Sequence, residues 1–153
     1  MAAILGQTHP EVFAAVGVHS GLAAGSARDV ASAFAAMRKP VARAARGGTP
    51  VRTILFHGAA DTTVAPGNAD AVIRDALGGQ RHSEVTDRSH TGADLTLYRD
   101  DGGAVLAEKW TLGGVGHAWS GGSAAGSYTD PTGPDASTEM VRFFLAQRAE
   151  GQA

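Results

Sequence analysis

The sequence predicts an α/β fold with a mainly parallel sheet, and three observations lead there. Two apolar runs, "VFAAVGVHSG" at 12–21 and "PVRTILFHG" at 50–58, are nearly continuous rather than alternating, as in strands buried on both faces. Each run closes on a glycine. Stretches of helical periodicity separate and follow them, giving the strand–helix–strand alternation of a parallel sheet.

The elements follow in order. Ala2 to Thr8 reads as the end of a helix, with apolar bulk and no Ser, Thr, Asp or Asn before it as a cap, and Pro10 helps to stop it. The first apolar run, 12–21, is a strand. Residues 27–46 are helix-prone but interrupted at Pro40, which suggests two short helices or a cap-like excursion over 27–48. The second strand occupies 50–58. After it, Ala69, Val72, Ile73, Ala76 and Leu77 recur at helical spacing, with Asn68 as the cap and Gly78-Gly79 as the stop. Residues 80–94 are polar and read as a loop. "DLTLYRDDGGAVLAEKWTLGG" gives two strands joined at Asp101-Gly102. A last helix carries Met140, Val141, Phe144 and Leu145 on one face, with Asp135 as its N-cap. Three or four strands are expected in all, which is thin for such a sheet.

Composition narrows the function. At 153 residues the chain has the size of a single domain. A 43% apolar content with a net charge of −2 argues against disorder and gives no electrostatic basis for binding nucleic acid or an anionic membrane. Without cysteine there is neither a disulfide frame nor a thiolate metal site. No apolar run approaches the roughly 20 residues that cross a bilayer. Met1 is not followed by the basic and apolar regions of a signal peptide.

In open α/β sheets the working residues lie just past the carboxyl ends of strands. Two such loops carry titratable groups: "HGAADTTV", with Asp61 after Gly58, and "GGVGHAWSGG", with His117 after Leu112. Alone, Asp61 reads as a turn-former and His117 as a loop residue. Together, an acid after one strand and a histidine after a later one form the back half of a Ser…Asp…His order. In that chemistry the histidine takes the nucleophile's proton while the carboxylate fixes its tautomer and stabilises the imidazolium. His82, Asp87, His90 and Asp94 also lie close in sequence, but no i, i+4 histidine pair on a helix supports a metal site, and a solvated loop accounts for them better.

"ILFHGAADTTVAPGNADAV", "GVGHAWSGG" and "GSYTDPTGPDASTEMVRFFL" resemble the polyhydroxybutyrate depolymerase-like esterases of the α/β-hydrolase superfamily. "HPEVFAAVGVHSGLAAG" resembles the segment that follows the nucleophile helix in that family. The match is weakest at 27–48 and 79–95. The resemblance implies the C-terminal portion of an α/β-hydrolase fold. It places the family's acid on Asp61 and its histidine on His117, and Trp119 and Ser120 in the loop that shapes the pocket. The implied substrate is a hydroxyalkanoate polyester or oligomer, or another short acyl ester, with no cofactor or metal, and the implied location is extracellular.

The family's nucleophile sits in a G-x-S-x-G elbow, whose following residue donates to the oxyanion. Ser20 in "VHSGL" has Val18 where the first glycine belongs, Ser123 in "GGSAA" has Ala125 where the last belongs, and Ser26, Ser120 and Ser127 fail as well. The family order puts the elbow just before an "A-M-A-A" helix start, where Met1-Ala2-Ala3 lies. The expectation is therefore a C-terminal half that begins just after the elbow, with Met1 an internal methionine and the N-terminal half a partner. Such a chain is inactive alone and leaves the strand at 12–19 with an open edge. The alternative is a non-catalytic α/β module that binds a partner through that edge.

Overall fold

The computed structural model describes residues 1–41 and 50–150. Helix α1 (Ala2–Thr8) leads into strand β1 (Ala15–His19), followed by α2 (Val30–Arg38), β2 (Arg52–Gly58), α3 (Gly67–Leu77) and β3 (Ser83–Asp87). Strands β4 (Ala93–Arg99) and β5 (Val105–Leu112), the short β6 (Trp119–Ser120) and β7 (Thr129–Asp130), and helix α4 (Ala136–Glu150) complete the order. The expected second helix after Pro40 falls on 42–49, outside the described residues.

The main sheet has the order β1-β2-β5-β4-β3. β1, β2 and β5 are parallel. β4 runs against β5 and β3 against β4, so β4 alone opposes the common direction. The class is α/β with a mainly parallel sheet, as the apolar runs predict. β2 lies inside it and is buried from Thr53 onward. Its side chains alternate between the two faces. Leu55 joins Val18, Val72, Ile73 and Leu77 on the face covered by α1 and α3. Ile54 and Phe56 join Trp110, Leu112 and Phe143 under α4.

Close approach depends on missing side chains at two glycines. A Cβ on Gly6 would lie 2.8 Å from Val16 Cγ1, so α1 reaches β1 only because that Cβ is absent. A Cβ on Gly58 would overlap the carbonyl oxygens of Val115 and Gly116. On the opposite side of the sheet, Arg142 of α4 grips the buried Glu108 of β5 with both terminal nitrogens, at 3.2 and 2.5 Å.

Three features depart from the sequence expectation. The first is the strand count: the described residues form seven strands, five of them in the main sheet, where three or four were expected. Residues 83–87 form a strand, not a loop. Every residue of β3 is exposed, so no apolar alternation marks it, and a polar, charged strand is what a protected sheet edge requires. Asn68 is not the cap of α3. Pro66, with φ −54°, is already helical and occupies that position, which places Asn68 in the first turn. Its amide instead donates to the carbonyls of Ala36 and Met37 at the end of α2, and to that of Ala65. Asp135 caps α4 as expected, accepting from the Thr138 N–H at 2.9 Å.

Gly58→Ala should destabilise the fold by about 1–3 kcal/mol, because rigid backbone blocks the added methyl. Urea unfolding measures this, and wild-type stability in the variant would contradict the packing argument.

Candidate active site

Parallel pairing continues past the ends of β2 and β5. Gly58 pairs with Leu112, then the Ala59 N–H donates to the Leu112 carbonyl at 2.8 Å and the Ala60 N–H to that of Val115 at 3.0 Å. This zipper brings Asp61 beside His117, 56 residues later, and His117 Nδ1 lies 2.8 Å from Asp61 Oδ2. The other carboxylate oxygen accepts the N–H groups of Thr63 and Val64 at 2.9 and 2.8 Å. Burial alone would raise the pKa of Asp61. The Val64 N–H, the His117 side chain and the Thr63 N–H together outweigh it and hold the carboxyl below its usual range. An ionised Asp61 fixes the proton of His117 on Nδ1, so Nε2 at the opposite edge of the ring is the basic atom. The His117 side chain is 40% exposed, whereas that of Asp61 is fully buried.

Beneath this pair lies His57, buried at the end of β2. Its Nε2 donates to the Val64 carbonyl at 2.9 Å and lies 3.6 Å from Asp61 Oδ2, so it braces the acid turn from below.

His117 lines a cleft of about 370 Å³ together with His19, Ser20, Ala118, Trp119 and Tyr128. Trp119 stacks on His19 with ring centroids 4.7 Å apart, and Phe56 packs on the same imidazole at 5.8 Å. His19 Nε2 accepts the backbone N–H of Ser120 at 3.0 Å, tying the histidine loop to β1. Burial lowers the pKa of His19 to about 4, with help from the neighbouring His57 and His117. Ser120 lies behind the cleft. It is fully buried, and its hydroxyl donates to the Pro134 carbonyl at 2.6 Å.

The structure therefore brings Asp61, His117 and Trp119 together at one cleft and sets Ser120 beneath it. His19, His57 and Tyr128 are additions to the sequence reading, and Ser20, which fails the nucleophile frame, lines the cleft. The strand-end rule that selects Asp61 and His117 applies equally to "VHSG" at the end of β1, and would have found His19. Tyr128 carried no such signal, because it reaches the cleft through the pairing of β6 with β7, where the Trp119 N–H donates to the Tyr128 carbonyl at 2.8 Å. Among the described residues no three His, Asp or Glu side chains are grouped to hold a metal ion. His82 pairs with Glu84, His90 with Asp87, and Asp94 with Arg88.

A buried carboxylate and a histidine are thus in contact just past two neighbouring parallel strands of an α/β fold, and comparisons with known proteins place the chain in a family. The family model described as esterase PHB depolymerase matches residues 1–94, and the chain belongs to that family. The matched residues include Asp61 but not His117. The poly(3-hydroxyalkanoate) depolymerase C of Paucimonas lemoignei is 28% identical over 132 residues, which is 76% of this chain and 32% of the relative. An acetyl xylan esterase from Aspergillus awamori shares the fold with a TM-score of 0.55 at 21% identity, over 75% of this chain and 50% of that one. The chain thus spans about a third of the length of the first relative and half of that of the second.

Two pH dependences follow. His19 resists protonation in the folded state, so stability is full above the ordinary histidine value of 6.5 and is lost as pH falls toward about 4. His19→Gln should flatten that stretch of the stability–pH curve, and an unchanged slope would count against the assignment. Asp61, with its pKa depressed, adds stability that is present above the usual 3.8 and is lost at more acid pH. Asp61→Asn should weaken the dependence there, as followed by denaturant midpoints across the acid range.

Proposed function

We propose that this chain supplies the acid, Asp61, and the histidine, His117, of a Ser–His–Asp carboxylic ester hydrolase. The observation that carries the reading is the 2.8 Å contact between His117 Nδ1 and the buried, doubly hydrogen-bonded Asp61 at the edge of a cleft. In such a site His117 Nε2 takes the proton of a serine hydroxyl as its oxygen attacks the ester carbonyl, then returns it to the departing alcohol. Water repeats the sequence to release the acid. Asp61 stabilises the imidazolium that forms between the two transfers.

The nucleophile belongs outside these residues in this reading. No G-x-S-x-G frame exists in the sequence, and the chain spans only part of its relatives. In subtilisin, loss of the nucleophile alone costs about a million-fold in kcat. The chain by itself is accordingly inactive. Trp119 and Tyr128, 37% and 75% exposed, wall the cleft with aromatic surface suited to the methyl and methylene groups of an acyl chain. A hydroxyalkanoate polyester or oligomer is the substrate the family favours, with the acetyl ester named in the fold relative as the competitor. An extracellular location, which the family resemblance suggests, is part of the same proposal.

The test joins this chain to a nucleophile-bearing N-terminal segment of the family and measures hydrolysis of a chromogenic butanoate ester. The joined protein should turn over, the chain alone should stay at background, and His117→Ala in the joined protein should lose about 10⁴-fold or more. Unchanged turnover in His117→Ala would refute its role. A folded joined protein without activity would favour a non-catalytic module that uses the free side of β1.

A further inference from the structure

The end of β1 carries a serine that does not fit the frame of a nucleophile but has a conformation that calls for explanation. Ser20 takes φ 49°, the one positive φ at a non-glycine position among the described residues. A side chain in that region costs about 1 kcal/mol or more and persists only when its surroundings fix it. Its own N–H donates to the Phe56 carbonyl at 2.9 Å, extending the β1–β2 ladder by one residue. Its hydroxyl oxygen lies 3.2 Å from His19 Nδ1.

The direction of this second bond follows from the far side of the imidazole. Nε2 of His19 faces the backbone N–H of Ser120, which can only donate. Nε2 therefore holds the lone pair and Nδ1 holds the proton. The ring donates to Ser20 Oγ and does not act as its base. His19 stays neutral down to a pH of about 4, so the arrangement holds throughout the neutral range. The hydroxyl proton of Ser20 is left to donate elsewhere, and the side chain lines the cleft with His117, Ala118, Trp119 and Tyr128. No lysine or arginine lines that cleft, so it offers a neutral ester a donor without offering a free carboxylate an ion pair.

We infer that Ser20 is a substrate-binding residue, its hydroxyl donating a hydrogen bond to an oxygen of a neutral hydroxyacyl ester seated between His117 and Trp119. The inference rests on the reading of this cleft as the ester site. The strained backbone aims the hydroxyl, and His19 holds it from behind.

The full chain, labelled with ¹⁵N, is titrated with methyl 3-hydroxybutanoate, and amide shifts are followed in the wild type and in Ser20→Gly. Glycine accepts the positive φ and removes only the hydroxymethyl group, so the variant should keep the dispersed spectrum of the folded chain. The wild type should shift at Ser20, His117 and Trp119, and the variant should bind about 3–10-fold more weakly, the loss of one neutral hydrogen bond. Equal affinity in the variant, with His117 and Trp119 still shifting, overturns the role of Ser20 and leaves the cleft reading intact. No shift at His117 and Trp119 in the wild type overturns both.

Discussion

The site depends on the register between β2 and β5. Because these strands pair in parallel and their ladder continues past Gly58 and Leu112, the loops that follow them are held together by backbone hydrogen bonds before any side chain is considered. The acid and the histidine come from those loops. A shift of register by one residue would turn each side chain to the opposite face and separate them. Gly58 is the position where the constraint is tightest, since the backbone of the histidine loop occupies the space its Cβ would take.

Around that zipper the histidines divide the work by depth. His57 is buried and braces the turn that holds Asp61. His19 is sandwiched between Phe56 and Trp119 and ties the histidine loop to β1. His117 is the exposed one. Burial keeps His19 neutral, so its ring works as a fixed connector, whereas His117 has a buried carboxylate on one nitrogen and the cleft beside it. One residue type serves two purposes here because the surroundings differ.

Much of this was legible in the sequence where physics writes it locally. Strands buried on both faces need unbroken apolar runs, so β1 and β2 were visible, and so was the periodic helix α3. β3 was not, because an exposed edge strand is defined by its neighbour rather than by its own side chains. Asn68 misled for a related reason: its residue type suits a cap, but Pro66 starts the helix two positions earlier and frees the amide to hold α2. The contact between Asp61 and His117 could be anticipated from strand ends and order. Tyr128 could not, since a two-residue pairing across a glycine-rich loop leaves no pattern to read. Ser120 has the polar side chain of a site residue, yet that side chain is spent on the carbonyl of Pro134.

The two borders of the sheet are chemically unlike. β3 closes one side with exposed, polar side chains, while β1, at the other, has Val16 and Val18 buried and no strand beyond it among the described residues. A strand that joined β1 in parallel would finish at the level of His19 and deliver its next loop to the mouth of the cleft. Assembly of the sheet and assembly of the site would then be one event. Cooperativity of that kind would tie the shape of the cleft mouth to the stability of a single interstrand ladder.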